Sequence, residues 1–185
     1  MTFKSATENF DYDLLTQRIG EFVICFQWTE NLIRQIGCLI VDPEHKNSPL
    51  LTFINLRNYD LLEDVKIKYC NLMDAINIQD GEGRKLYFKK LINDCHELRE
   101  IRNNLLHSAY IELKAGDDVV ALMRSNPKSA NGNLIFDQEL LSETSITNKI
   151  ENLGKTTLKL NLIFSQLRQW APFSHLKKEV DYNSK

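Results

Sequence analysis

Arg102, Asn103 and His107 stand close together in the run Glu97 to Tyr110, which reads E-L-R-E-I-R-N-N-L-L-H-S-A-Y. An imidazole takes or gives a proton near neutral pH, because its reference pKa is about 6.5. A guanidinium is permanently charged, and its flat fork fits two phosphate oxygens at once. A proton carrier beside a phosphate ligand serves cleavage of a phosphodiester by a neighbouring hydroxyl. RNA brings that nucleophile itself, as its 2′-hydroxyl. Charge stabilisation of this kind is often the largest single catalytic term, and nothing in it demands a metal or another cofactor.

The position of Arg102 sharpens the point. Phe88, Leu91, Cys95, Leu98 and Leu105 recur in steps of three and four, the inward stripe of an amphipathic helix. Arg102 falls on that stripe. A charge there needs a partner or a cleft to line, because burying it unpaired is costly. On a regular helix, residues five apart differ by about 140° around the axis. Arg102 and His107 therefore share a direction only if the helix ends or kinks between them; otherwise each meets groups from a second subunit. Asn103 lies four residues before His107, on the same face, where it can orient the imidazole or a phosphate.

Arg102-Asn103-Asn104-Leu105-Leu106-His107 resembles the R-N-x-x-x-H signature of the HEPN superfamily, small helical domains that are often metal-independent ribonucleases. The match covers six residues directly, and long helices around it extend the likeness over most of the chain. The resemblance implies attack by the 2′-hydroxyl leaving a cyclic phosphate, with His107 as acid and base, Arg102 as phosphate ligand and Asn103 at the polar position that follows the arginine. It implies a homodimer in which two motifs share one composite cleft. It also implies a toxin or defence effector held silent by an antitoxin or other regulatory protein. In one such mode the antitoxin modifies a tyrosine two residues after the histidine; here that position is Ala109, and Tyr110 comes one later. A glutamate upstream of the arginine recurs in the family, and Glu97 and Glu100 both fit. The alternative within the family is a domain without activity that binds nucleotide, RNA or a protein.

Other residues have plainer readings. His107 suits a helix C-terminus on electrostatic grounds alone, and Arg102 could serve a structural ion pair. Tyr110 reads as a strand aromatic or as part of the site. Lys89 and Lys90, with Arg84 and Lys85, form a basic run that is either a solvated face or a track for the RNA backbone. His45, His96 and His175 have no ligand partner at useful spacing, and His96 falls on the outer face of its helix. Phe22, Phe26, Trp28 and Trp170 read as core or dimer interface.

The 185 residues fit one domain with a real core, and 43% hydrophobic with 26% charged residues is globular composition. A net charge of −2 argues against a broad basic coat for nucleic acid, though not against a local phosphate site. No apolar run approaches the roughly 20 residues that span a bilayer, and the first ten residues lack an apolar signal core. Cys25, Cys38, Cys70 and Cys95 form no C-x-x-C pair and read as free thiols of a reducing cytoplasm.

The elements expected around the motif are four long helices. The first runs from Asp11 to about Val41 with Leu15, Ile19, Phe22, Phe26, Ile33, Ile36 and Ile40 in register, before Asp42-Pro43. A polar loop covers Glu44 to Ser48. A second helix follows over Leu50 to Ile76, with Pro49 in its first turn and a stripe of Leu51, Ile54, Leu62, Val65, Tyr69, Leu72 and Ile76. A turn over Asn77 to Gly83 leads to the motif helix, Arg84 to His107. Ala109–Lys114 and Val119–Arg124 read as a small hairpin beside His107, placed to shape the mouth of a cleft. Ser125 to Asn133 reads as loop, Leu134–Asp137 as a third short strand, and Ser145 to Trp170 as the last helix, ended by Pro172. The expected fold is an all-α antiparallel four-helix bundle, with a small β-hairpin inserted between helices three and four and flexible tails over 1–10 and 174–185.

Overall fold

The computed structural model describes residues 10–43, 50–76, 78–130 and 132–183, beyond Trp170 as backbone alone. In chain order these form α1 (Tyr12–Val41), α2 (Leu50–Ile54), α3 (Asn58–Ile76), α4 (Gly81–His107), β1 (Ala109–Ala115), β2 (Asp118–Ala130), β3 (Asn133–Leu141) and α5 (Glu143–Asn183). The expected loop at Glu44–Ser48, the first-turn role of Pro49 and the ends at 1–9 and 184–185 lie outside the described residues.

The four-helix expectation is corrected in two places. The second helix is two helices, because a turn over residues 55–57 resets the helical phase. Phe53 consequently faces the core, while Leu51 and Ile54, assigned to the stripe, are exposed. The β element is no minor hairpin. It is an antiparallel sheet in the order β1-β2-β3, with strands of 7, 13 and 9 residues.

Local chemistry explains the sheet's extent. Gly116 (φ 67°) and Gly132 (φ 78°) supply the positive φ that tight hairpin turns need. β2 pairs with β1 only as far as Ser125, and beyond that with β3 alone. Pro127 thus sits where one side of the strand is open, the setting in which a missing N–H does no harm to a sheet. The stretch read as loop is the outer half of β2 and its turn.

Caps set the helix starts. The Leu14 amide donates to Asp11 Oδ1 at 2.9 Å, and the Ser145 amide to Ser142 Oγ at 3.1 Å. α4 begins at Gly81, three residues earlier than expected, because Asp80 (φ 60°) makes the turn on its own. α5 runs through Pro172, so the proline removes one hydrogen bond without ending the ladder.

The chain forms two compact units: the first holds the described residues up to Cys25 and Glu100–Asn152, the second Phe26–Arg99 and the described residues from Leu153. The second unit carries a continuous apolar core, including Ile33, Ile36, Phe53, Leu62, Val65, Phe88, Ile92 and Leu160. Gly37 is needed there, since a Cβ would lie 2.8 Å from ring carbons of Phe53. Trp28, expected in the core or an interface, is 66% exposed. The first unit buries Leu15, Phe22, Leu105, Leu122, Leu141 and Ile146, together with Arg124 and Ser125. The four cysteines are free thiols.

Candidate functional site

The motif occupies the last turns of α4, and the helix stays regular through His107. The alternative in which it ends or kinks before the histidine is thereby removed. Within one chain Arg102 and His107 project about 140° apart.

Arg102 is half-buried. Its Nη1 donates to Asn103 Oδ1 at 3.1 Å, and its Nε is buried without a hydrogen-bond partner. No carboxylate within the described residues forms an ion pair with it. Asn103 therefore steadies the guanidinium, instead of reaching one turn ahead to His107. His107 is exposed and is the final residue of α4.

Asn104 and Tyr110 tie this helix end to the sheet. Asn126 Nδ2 donates to Asn104 Oδ1 at 3.4 Å, and Ser108 Oγ to the Asn104 carbonyl at 2.5 Å. The Tyr110 hydroxyl donates to the Leu105 carbonyl at 2.5 Å, satisfying one of the carbonyls that the helix leaves open. Burial pushes the Tyr110 pKa up, with Arg124 opposing and Glu139 adding to the rise. Glu100 is exposed in the same unit. Glu97, Lys89 and Lys90 are exposed in the second unit. Among the described residues no three of His, Cys, Asp and Glu come together as metal ligands.

Two polar clusters escape the sequence reading. In the first unit Arg124 Nε donates to Glu139 Oε2 at 2.6 Å and Nη1 to Asp137 Oδ2 at 3.4 Å. Lys128 binds Asp137 at 3.0 Å and Lys149 binds Glu139 at 2.7 Å. Burial alone would raise the Glu139 pKa, but the bonds from Lys149 and Arg124 hold it below the usual carboxylate value. Arg124 lies directly opposite Glu139 in the β2–β3 register, a relation visible only once β2 is known to pass Arg124. In the second unit His96 is half-buried, not on an outer face, and its Nε2 lies 2.9 Å from Glu63 Oε1. Its ring also sits 5.1 Å from that of Tyr59. Glu63 lies 33 positions away, so no spacing rule announces the pair.

The comparisons add no relative: the chain matches no family model, no curated protein and no solved structure. No helix of the described residues is long and apolar enough to cross a membrane.

Proposed function

We propose that the chain is a metal-independent endoribonuclease of the HEPN type, acting as a homodimer on RNA in the cytoplasm, as a toxin or defence effector restrained by a protein partner. The observation that carries the reading is Arg102. A half-buried guanidinium, held by one neutral amide and unmatched by any carboxylate of the described residues, has a positive charge to offer a phosphate. His107 supports it as an exposed imidazole further along the same helix, at its last residue.

The two groups diverge on their helix, so each cleft takes Arg102 from one copy and His107 from the other. His107 withdraws the proton of the 2′-hydroxyl as its oxygen attacks phosphorus. The 5′-oxygen leaves with the bonding pair and takes the proton that His107 carries, giving a 2′,3′-cyclic phosphate and a 5′-hydroxyl end and returning the imidazole to its starting form. Arg102 meets the charge that builds on the non-bridging oxygens. Tyr110 is a poor target for control by modification, since its hydroxyl is committed to Leu105. The four free thiols suit a reducing compartment.

The test is cleavage of mixed RNA in excess EDTA by wild type, Arg102→Ala and His107→Ala. Wild type cuts, and each variant loses roughly 10²- to 10⁴-fold in rate. Mixing the two variants restores about a quarter of the activity, since half the random dimers regain one of two composite sites. RNA binding without cutting by wild type would leave an inactive binding domain in place of the enzyme. Equal cutting by all three proteins would identify a contaminating nuclease.

A further inference from the structure

A cavity of about 400 Å³ opens within the second unit. Tyr69 of α3, Asp80 and Arg84 at the start of α4, and Leu162 and Ile163 of α5 line it. Its size falls in the range of sites for small organic molecules.

Two of its buried polar atoms, the Tyr69 hydroxyl and the Arg84 Nε, have no hydrogen-bond partner. Tyr69 is fully buried, its ring stacked on Phe88 with centroids 4.0 Å apart, yet its hydroxyl has no partner. Buried hydroxyls are nearly always satisfied, so an orphan beside a cavity marks a place for a ligand atom. Arg84 packs its guanidinium over Trp170, 4.5 Å from the ring centre, and its Nε is buried without a partner. Asp80 lies one turn before Arg84, and the two are joined through the backbone by Arg84 N to Asp80 O at 3.0 Å. Opposite charges one turn apart ordinarily pair. Here they do not, and neither charge forms an ion pair with any described residue. The Asp80 carboxylate lies instead over Gly83, where a Cβ would come within 2.4 Å of Oδ1. Arg34, in the same unit, shows the ordinary outcome in its ion pair with Glu30.

One cation without a carboxylate partner, one exposed carboxylate and one buried hydroxyl without a partner, set beside apolar side chains, define a complementary ligand. We infer that this cavity binds a free α-amino acid with an apolar side chain, its carboxylate on Arg84 and the Tyr69 hydroxyl, its ammonium on Asp80 and its side chain against Leu162 and Ile163. Burial pushes the Tyr69 pKa up to about 12, so the hydroxyl stays a donor at neutral pH. The site uses neither Arg102 nor His107, and it stands or falls separately from the ribonuclease reading.

Calorimetric titration of the full chain tests it, with L-phenylalanine and L-leucine as probes. 3-Phenylpropanoate lacks the ammonium of phenylalanine, and phenethylamine lacks its carboxylate. L-Phenylalanine binds about tenfold tighter than either truncated analogue, because each loses one charge-assisted contact. Arg84→Gln weakens phenylalanine about tenfold and leaves phenethylamine unchanged; Asp80→Asn does the same with 3-phenylpropanoate as the unaffected probe. Tyr69→Phe weakens phenylalanine several-fold while its melting temperature stays level or rises, since that hydroxyl has no partner to lose. Absence of binding by both amino acids overturns the assignment. So does equal binding of phenylalanine and its two analogues by wild type, a comparison that needs no variant to fold.

Discussion

Arg102 and Arg124 belong to the same compact unit and are treated in opposite ways. Arg124, 7% exposed, sits in the sheet with Glu139 and Asp137 on its fork, and Lys128 and Lys149 complete an alternating network. Arg102, on the last turns of α4, has one neutral amide on Nη1 and a buried Nε with nothing on it. A guanidinium whose Nε and Nη1 are already engaged by two carboxylates has its fork occupied, and Arg124 cross-links β2 to β3. A guanidinium matched by none is what the proposed phosphate contact requires. Had the two been judged by residue type and burial alone, the more buried Arg124 would have looked the better candidate. The partners decide between them.

That contrast is broken most directly by exchanging the readouts. Arg102→Ala lowers the RNA cleavage rate by 10²-fold or more, and shifts stability by less than about 1 kcal/mol because it removes no ion pair. Arg124→Ala does the reverse. It removes the guanidinium that bridges Asp137 and Glu139, leaving them Lys128 and Lys149 alone, and costs about 2 kcal/mol of stability, read by chemical denaturation, while the folded fraction keeps the wild-type cleavage rate. A variant of Arg124 that folds normally and fails to cut would place the phosphate ligand in the sheet and end the argument for α4.

The same network gives the comparison a pH dependence. Lys149 and Arg124 hold the Glu139 carboxylate below its ordinary value. A depressed pKa means that the unfolded chain takes up the proton first. The stabilisation is therefore present above about pH 4.5 and is lost as the pH falls through the folded value. Glu139→Gln costs about 2 kcal/mol at pH 7, where charged hydrogen bonds are broken, and flattens the acid limb of the stability curve. Acid titration of Arg102→Ala follows the wild-type curve. If Glu139→Gln retained the full acid limb, other carboxylates would be carrying it.

The sequence made parts of both regions visible for physical reasons. A long helix repeats its pattern many times, so Leu15, Phe22, Phe26, Ile33 and Ile36 report α1 reliably, and all are buried. The motif needed no tertiary information beyond the phase of one helix. A break hidden inside a helical pattern was not visible. Leu51 and Ile54 continue the stripe on paper, yet the turn after Ile54 resets it. The sheet was obscured by Pro127, which argues against a strand until the pairing of β2 with β1 is known to reach no further than Ser125. Asn131-Gly132 was the one signal of a hairpin inside that stretch, and the surrounding turn residues masked it. The Arg124 network needs the register of two strands, and the His96–Glu63 pair needs the packing of two helices. Neither is a property of spacing along the chain.

Tyr110 lies where the two regions of this unit meet, and it supports the finest test. It follows Ala109 in β1, opposite Arg124, and its hydroxyl reaches back to the Leu105 carbonyl on α4 at 2.5 Å. If that bond is its role, Tyr110→Phe loses one hydrogen bond to the helix end, costs about 1 kcal/mol and leaves the cleavage rate per folded molecule unchanged. If the hydroxyl also touches RNA, the rate falls while stability falls by the same amount. Measuring both in one variant separates a strut from a contact, because a strut can lower activity only through the unfolded fraction. A drop of tenfold or more in fully folded protein would move Tyr110 from the sheet's side of the comparison to that of Arg102.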